Sequence, residues 1–324
     1  MGIALINPRN CQLLHLEDDR LVDLEGSVFP ILNGVARIAE QENYTNSFGL
    51  QWNKFDKCQL DREADGFEVS RIRFFSETNW NQEDLFGKDI LEVGSGAGRF
   101  SRVVLEHTKA TLYSVDYSDA VTANMKNNGH IAPDRFHLYQ ASIYEMPFLD
   151  NSFDKVFCIG VLQHTPDFQA SVRTLVEKAK PGGEIIVDFY SVKGWWTKIN
   201  AKYILRPITK TMSHEKLLEL IEANVDWLIR VSKILHKVGL GLLTRFLPIV
   251  DLRTLPIDKL TAKQLREWVV LDTFDMFSPA HDHPQKIKNV VDMFENSGAK
   301  VTFAGIQKFG QGFEAAVVRG KKRA

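Results

Sequence analysis

Asp89-Ile90-Leu91-Glu92-Val93-Gly94-Ser95-Gly96-Ala97-Gly98-Arg99-Phe100-Ser101 is the stretch that decides the fold of this chain. Ile90, Leu91 and Val93 read as a buried strand that passes directly into three alternating glycines and then a helical pattern. Such a turn bares backbone N–H groups at a helix N-terminus and lets a ligand approach the main chain closely. A dinucleotide fingerprint, G-x-G-x-x-G, puts its third glycine where Arg99 stands, so the spacing argues against NAD. A second strand over 111–115 ends in Asp116, 22 residues after Gly94. That is near the gap of roughly 20 residues at which an acid closing the second strand reaches a ribose hydroxyl pair. Further strands fall at 135–140, 155–159 and 184–190, separated by helical patterns, which is the alternation of an α/β protein with helices on both faces of a sheet.

Five motifs occur in a fixed order: Leu91-Glu92-Val93-Gly94-Ser95-Gly96-Ala97-Gly98, Ser114-Val115-Asp116-Tyr117-Ser118, Met146-Pro147-Phe148 with Ser152-Phe153-Asp154, Val161-Leu162-Gln163-His164, and Lys180-Pro181-Gly182-Gly183-Glu184. Over about residues 85–190 the chain thereby resembles the Rossmann-like S-adenosylmethionine-dependent methyltransferases, and more narrowly their UbiE-type, methyltransferase domain 11-like branch. The resemblance implies a mostly parallel sheet of seven strands and S-adenosylmethionine as cofactor. It also implies residue roles: Glu92, Gly94, Ser95, Gly96 and Gly98 around the methionine part, Asp116 on the ribose, Tyr117 beside the adenine, and Ser142 and Ile143 at the adenine edge. Gly160 and Tyr44 complete the expected cofactor set. The family often has an acid where Ser142 stands, which leaves Tyr144 as an alternative partner for the adenine amino group.

The 324 residues are 44% hydrophobic and 25% charged, enough to bury a large core. A net charge of −1 provides no general field for phosphate backbones, so a nucleic-acid partner is disfavoured and a small-molecule acceptor expected. Arg319-Gly320-Lys321-Lys322-Arg323 reads as a solvated basic terminus. Cys11, Cys58 and Cys158 are widely spaced with no C-x-x-C pair, which indicates neither a disulfide framework nor zinc and suits a reducing, cytoplasmic setting. No apolar run approaches the roughly 20 residues that span a bilayer. The opening Met1-Gly2-Ile3-Ala4-Leu5-Ile6 carries neither a signal-peptide n-region nor a myristoylation pattern.

Four regions are expected: an N-terminal extension over 1–84, the cofactor core over 85–190, an insertion over 191–283, and a last helix (285–298) with strands six (300–304) and seven (313–318) over 284–324. Residues 28–37 resemble the end of a Trm112-like zinc-ribbon module whose cysteine pairs are absent, so any such module holds together without metal. The aromatic, amide-rich stretch 42–52 follows, in which Tyr44 and Trp52 either close over the cofactor or cover the sheet edge. In the insertion, apolar residues from Leu217 to Val238 recur at helical spacing, broken by Gly239 and Gly241. It leaves and rejoins the sheet at the carboxyl edge of strand five, where ligands bind in open α/β sheets, so it reads as a helical lid. Lys216, Arg230, Lys233, Lys237 and Arg245 flank the apolar face and sustain a second reading, a membrane-surface or homodimer helix.

Methyl transfer to oxygen or nitrogen is an in-line displacement, so the protein aligns the acceptor, excludes water and takes up one proton. His164, just past strand four at the carboxyl edge, is the first candidate base; the alternative is a packing histidine. The second candidate is the segment 271–284, where Asp272, Asp275, His281 and Asp282 would line a polar acceptor pocket. Extended His281-Asp282-His283 puts both imidazoles on one side and the carboxylate opposite, with no third ligand set, so no metal is assigned. Tyr190, Trp195, Trp196, Tyr203 and Arg206 would wall and anchor the acceptor, read as a sugar or glycan precursor or a natural-product scaffold. The competing classes are a non-catalytic platform that keeps the cofactor fold and, third, a protein or RNA methyltransferase.

Overall fold

The computed structural model describes every residue except 1, 41–42, 63–65, 193 and 311; Met1 and Glu42 of the stretches discussed above lie outside the described residues. Four short strands open the chain: β1 (His15–Glu17), β2 (Arg20–Val22), β3 (Val28–Leu32) and β4 (Val35–Arg37). Asn33 and Gly34, at φ 53° and 80°, turn β3 back on β4 in the left-handed conformation that a two-residue hairpin needs. Asp23 staples these hairpins. One of its oxygens accepts from Asn7 Nδ2 (2.6 Å) and Asn10 Nδ2 (3.0 Å), and the other from the N–H groups of Glu25 and Ser27 (both 2.9 Å). The Asn7 bond above all holds its carboxyl well below the usual range. Helices α1 (Asn46–Lys54) and α2 (Val69–Thr78) follow.

The glycine motif then lies between β5 (Asp89–Val93) and α3 (Arg99–His107). The alternation continues through β6 (Thr111–Asp116), α4 (Ala120–Asn128), β7 (Phe136–Gln140), β8 (Phe153–Cys158), α5 (Phe168–Lys178) and β9 (Ala179–Phe189). Within 191–283 lie helices α6 (Ala201–Thr209), α7 (His214–Lys237) and α8 (Ala262–Phe277). Their starts are set by side chains that satisfy free N–H groups: Asn200, Ser213 and Thr261 each accept from the backbone three residues on, and Gln264 returns a reciprocal bond to Thr261. The chain closes with α9 (Ile287–Asn296), β10 (Ala299–Phe309) and β11 (Phe313–Lys322), both strands longer than the sequence pattern indicates.

The eleven described strands form one sheet in the order β1-β2-β3-β4-β7-β6-β5-β8-β9-β11-β10. This corrects the expected seven, mostly parallel strands. Ala36 and Arg37 of β4 pair with Tyr139 and Gln140 of β7, which adds the N-terminal hairpins to the sheet edge, and β11 pairs antiparallel with both β9 and β10. The six strands from β4 to β9 in the sheet remain parallel. Chain order reverses between β5 and β8, and a crevice opens beyond the carboxyl ends of strands at such a point.

Successive residues of each central strand point to opposite faces. Leu91, Val93 and Val115 pack on α5 and α9 through Val172, Leu175, Val290 and Phe294. Ile90, Leu112 and Phe157 pack on α2 and α3 through Phe74, Val103 and Val104. A third cluster stands off the sheet: Leu217, Leu218, Ile221, Val225 and Leu228 of α7 meet Leu265, Trp268, Val269 and Phe274 of α8, with Phe67 of the N-terminal region buried among them. Residues ahead of the core and residues of the insertion therefore share one core.

Candidate active site

A cavity of about 640 Å³ lies at the carboxyl edge of the sheet, bounded by the glycine turn, α1, α8 and the β10–β11 hairpin. Gly94, Ser95, Gly96, Asp116, Tyr117, Ile143, Gly160 and Tyr44 of the expected cofactor set line it. Gly94 sits at φ 81°, and a Cβ there would come within 2.2 Å of Val161 Cγ2, so only glycine brings the turn this close to the loop after β8. Gly98 has a different reason to be glycine. A Cβ there would lie 2.1 Å from Asn124 Oδ1, so it serves the packing of α3 on α4 and is no part of the cavity wall.

Asp116 is half-buried, with Oδ2 accepting the Gly96 N–H (2.8 Å) and Oδ1 accepting from the Ser118 N–H (2.8 Å) and hydroxyl (2.6 Å). Burial pushes its carboxyl up against these bonds. Glu92 does not line the cavity. It lies inside the sheet, accepts from Ser101 Oγ (2.5 Å) and Ser114 Oγ (2.7 Å), and burial pushes its pKa up to about 7. Ser142 also stays off the wall and accepts the Tyr144 N–H, while the Tyr144 hydroxyl donates to the Asp167 carbonyl at 3.0 Å, so neither faces the cavity. Tyr44 stands 5.4 Å from Tyr117, ring to ring, and Trp52 covers Gly96.

His164 is buried and lines the cavity. Its Nδ1 is 3.2 Å from the His281 carbonyl, an acceptor only, so Nδ1 carries the proton and Nε2 presents a lone pair. Nε2 lies 3.8 Å from Asp275 Oδ2, and the Tyr190 hydroxyl donates to the same oxygen at 3.2 Å. Burial lowers the His164 pKa, opposed by the Asp275 charge, and burial raises that of Tyr190.

Other expected acceptor residues turn elsewhere. Asp282, with a side chain only 2% exposed, is ion-paired with Lys202 Nζ at 2.7 Å outside the cavity. His281 contributes its carbonyl to His164, and its ring lies behind the wall, stacked on His283 and edge-on to Tyr44. Arg206 donates to the carbonyls of Met276 and Pro279 and so ties α6 to the end of α8. Tyr203 is outside the wall, and Trp195 is 80% exposed. The alternation along 281–283 accounts for this. One side chain of the extended segment faces inward to Lys202 while the backbone between faces His164.

A charged group that the sequence reading missed lines the same cavity. Arg73 Nε donates to Glu77 (2.8 Å) and Nη2 to Asp188 (2.5 Å), while the other Asp188 oxygen accepts the Gly160 N–H. Burial pushes Glu77 up to about 7 against the Arg73 charge. Arg99 is half-buried with no carboxylate in ion-pair range among the described residues; it donates to Gln59 Oε1 (2.7 Å) and Ser70 Oγ (3.2 Å), and desolvation pushes it down to about 10. Gln59 passes its own N–H to Asp272 Oδ1 (3.1 Å), and Trp268 donates to Oδ2 (3.0 Å). Burial raises Asp272 to about 7. Asp188 was legible as an acid ending strand five, and Arg99 as a cation in the motif itself; Arg73, Gln59 and Trp268 carried no local signal.

Residues 91–187 match the family model described as a methyltransferase domain. This stretch, under a third of the chain, is similar to methyltransferase domains. Among curated proteins, the tRNA U34 carboxymethyltransferase of Nautilia profundicola is 29% identical over 34% of this chain and 37% of its own length. The ubiquinone biosynthesis O-methyltransferase of Pseudomonas entomophila is 31% identical over 41% of this chain and 59% of its own length. The chain thus spans less than two thirds of either relative. Among solved structures, a complex between the Haloferax volcanii Trm112 methyltransferase activator and a methyltransferase matches with TM-score 0.50 and 10% identity, over 86% of this chain and 98% of that one, a likeness of fold.

Proposed function

We propose that this protein is an S-adenosylmethionine-dependent methyltransferase acting on an oxygen or nitrogen of a small molecule held in the cavity. The observation that carries this reading is one continuous cavity lined both by the glycine turn with Asp116 and by His164, Tyr190 and Asp275. The cofactor supplies a methyl group already activated on a sulfonium. The residues present suit it: among the described residues Ser95 Oγ and both amide atoms of Gln163, two residues of this wall, have no hydrogen-bond partner, and such groups call for a polar ligand. Asp116 keeps free lone pairs for two vicinal hydroxyls, with Tyr117 and Ile143 beside it for the adenine.

His164 Nε2 takes the acceptor's proton. The His281 carbonyl holds the tautomer, and Asp275 stabilises the imidazolium that results. Phe48, Trp52 and Phe189 exclude water around it. A cavity of about 640 Å³ suits a small acceptor beside the cofactor.

Calorimetric titration with S-adenosylmethionine, S-adenosylhomocysteine and NAD, on the intact protein and Asp116→Ala, tests the cofactor. The two sulfur ligands are expected to bind, NAD not to bind, and the variant to lose the signal. Absence of binding by the intact protein overturns the reading. Radiolabelled methyl transfer into a metabolite extract but not into a tRNA pool tests the acceptor class.

A further inference from the structure

The outer surface of the segment 191–250 carries exposed tryptophans and leucines. Trp195 and Leu242 are each 80% exposed, and Trp196, Leu240, Leu243 and Phe246 are about half exposed. The two stretches meet in space: Arg245 donates to the Trp196 carbonyl at 2.7 Å, and Trp195 and Trp196 pack edge to face at 6.1 Å. The patch continues along the later part of α7 and the residue after it, where exposed Ile234 and Val238 alternate with exposed Arg230, Lys233 and Lys237; the acids of the helix, Glu215, Glu219, Glu222 and Asp226, all fall earlier, and the inner face of the helix is buried on α8.

Charge is segregated in the same place. Residues 189–214 and 227–250 together contain nine lysines and arginines and no aspartate or glutamate, in a chain whose net charge is −1. Lys198, Lys210, Arg230, Lys233 and Lys237 are exposed and have no ion-pair partner among the described residues. Both stretches also lead to the cavity. Tyr190 and Ser191 precede the tryptophans and line it, as do Val250, Arg253 and Thr254 after Phe246. The Arg253 side chain is 61% exposed, which marks an opening on this side.

We infer that this face docks on an anionic lipid surface, with the indoles and leucines in the headgroup boundary and the lysines on the lipid phosphates. Exposed tryptophans beside acid-free lysine and arginine are the composition that suits such an interface. Among the described residues no helix is long and apolar enough to cross a membrane, so the contact lies on the surface. A second copy of the chain is the weaker occupant, since a two-fold contact would bring two such acid-free faces together. The inference goes beyond methyl transfer and is read without it.

The test is sedimentation of the full chain with vesicles of phosphatidylcholine alone and of phosphatidylcholine mixed with phosphatidylglycerol, with tryptophan emission recorded in parallel. Binding to the mixed vesicles, a blue shift on binding and steep weakening by salt are expected. Trp195→Ala with Leu242→Ser should weaken partition by about tenfold or more. Lys233→Gln with Lys237→Gln should weaken it by about fivefold for each charge removed. The four side chains are exposed, so both variants should keep the parent melting temperature, and either pair alone suffices for the test. Equal affinity for both vesicle types, or binding that neither pair weakens, overturns the inference. So does a dimer broken by the apolar pair, or a tRNA pool bound more tightly than the vesicles.

Discussion

Around the glycine turn the cavity wall is made largely by backbone, whereas beneath the insertion it is made by side chains that helix packing aims. Gly94 and Gly96 hold left-handed φ angles of 81° and 51°, and Val161 and Trp52 press against the space where their Cβ atoms would be. On the other side, Asp272 and Asp275 reach the cavity because Trp268, Val269 and Phe274 seat α8 against α7. His164 stands between the two on the loop after β8, and both its carbonyl partner, His281, and the carboxylate it faces, Asp275, come from the insertion. A backbone wall tolerates no added atom but needs no distant partner. A side-chain wall tolerates substitution in shape and loses chemistry. Damage to the first should appear in cofactor affinity and stability, damage to the second in turnover.

The largest effect that separates the two belongs to His164. His164→Ala should lower kcat by about 10²–10⁴-fold while S-adenosylhomocysteine affinity holds. Burial keeps the parent imidazole neutral below its ordinary pKa of 6.5, so the acid limb of the parent kcat profile should lie under that value. If the variant loses ligand affinity in proportion to kcat, His164 belongs to the backbone side of the comparison. Next comes Gly94→Ala, which forces a left-handed alanine against Val161 and should weaken cofactor binding by on the order of 100-fold, with a lowered Tm. Adding Val161→Ala should return part of that loss, because it removes the clash and leaves the φ cost.

Asp275→Asn sharpens the comparison from the side-chain half. It removes the charge that raises the His164 pKa, so the acid limb should move to lower pH and kcat should fall by on the order of tenfold, with cofactor affinity held. An unmoved limb would detach Asp275 from the base. Neither Asp275 nor Asp272 was separable in the sequence from Asp282, which the fold places on Lys202.

That contrast tracks what can be read from a string of residues. The turn, Asp116 and the β5 to β9 alternation were legible because each is a local constraint: a positive φ, an acid at a strand end, a period of apolar residues. The four added strands were not, since β4 joins β7 across about a hundred residues and only Asn33-Gly34 signals a hairpin. Arg73, Gln59 and Trp268 were not, because their meaning is the partner each finds in the fold. Gly98 was legible as a necessary glycine and misread in purpose, since helix packing and ligand approach both exclude a Cβ.

Glu92 presents the smallest functional effect and the finest cut between wall and support. It is fully buried, its pKa is pushed up from 4.5 to about 7 by burial, and two serine hydroxyls oppose that shift. A folded-state pKa above the unfolded value means that the fold binds this proton more tightly than the open chain does. The stability it contributes is thus fully present below pH 4.5 and is lost as pH rises through about 7. Over that window the change is on the order of 3 kcal/mol. Glu92→Gln keeps the shape without the charge, so Tm should become flatter across the window while S-adenosylhomocysteine binding stays near that of the parent. If the variant instead loses the ligand and keeps the parent's Tm profile, Glu92 reaches the cofactor as the family resemblance implies, and the backbone half of the site extends one residue further into the sheet.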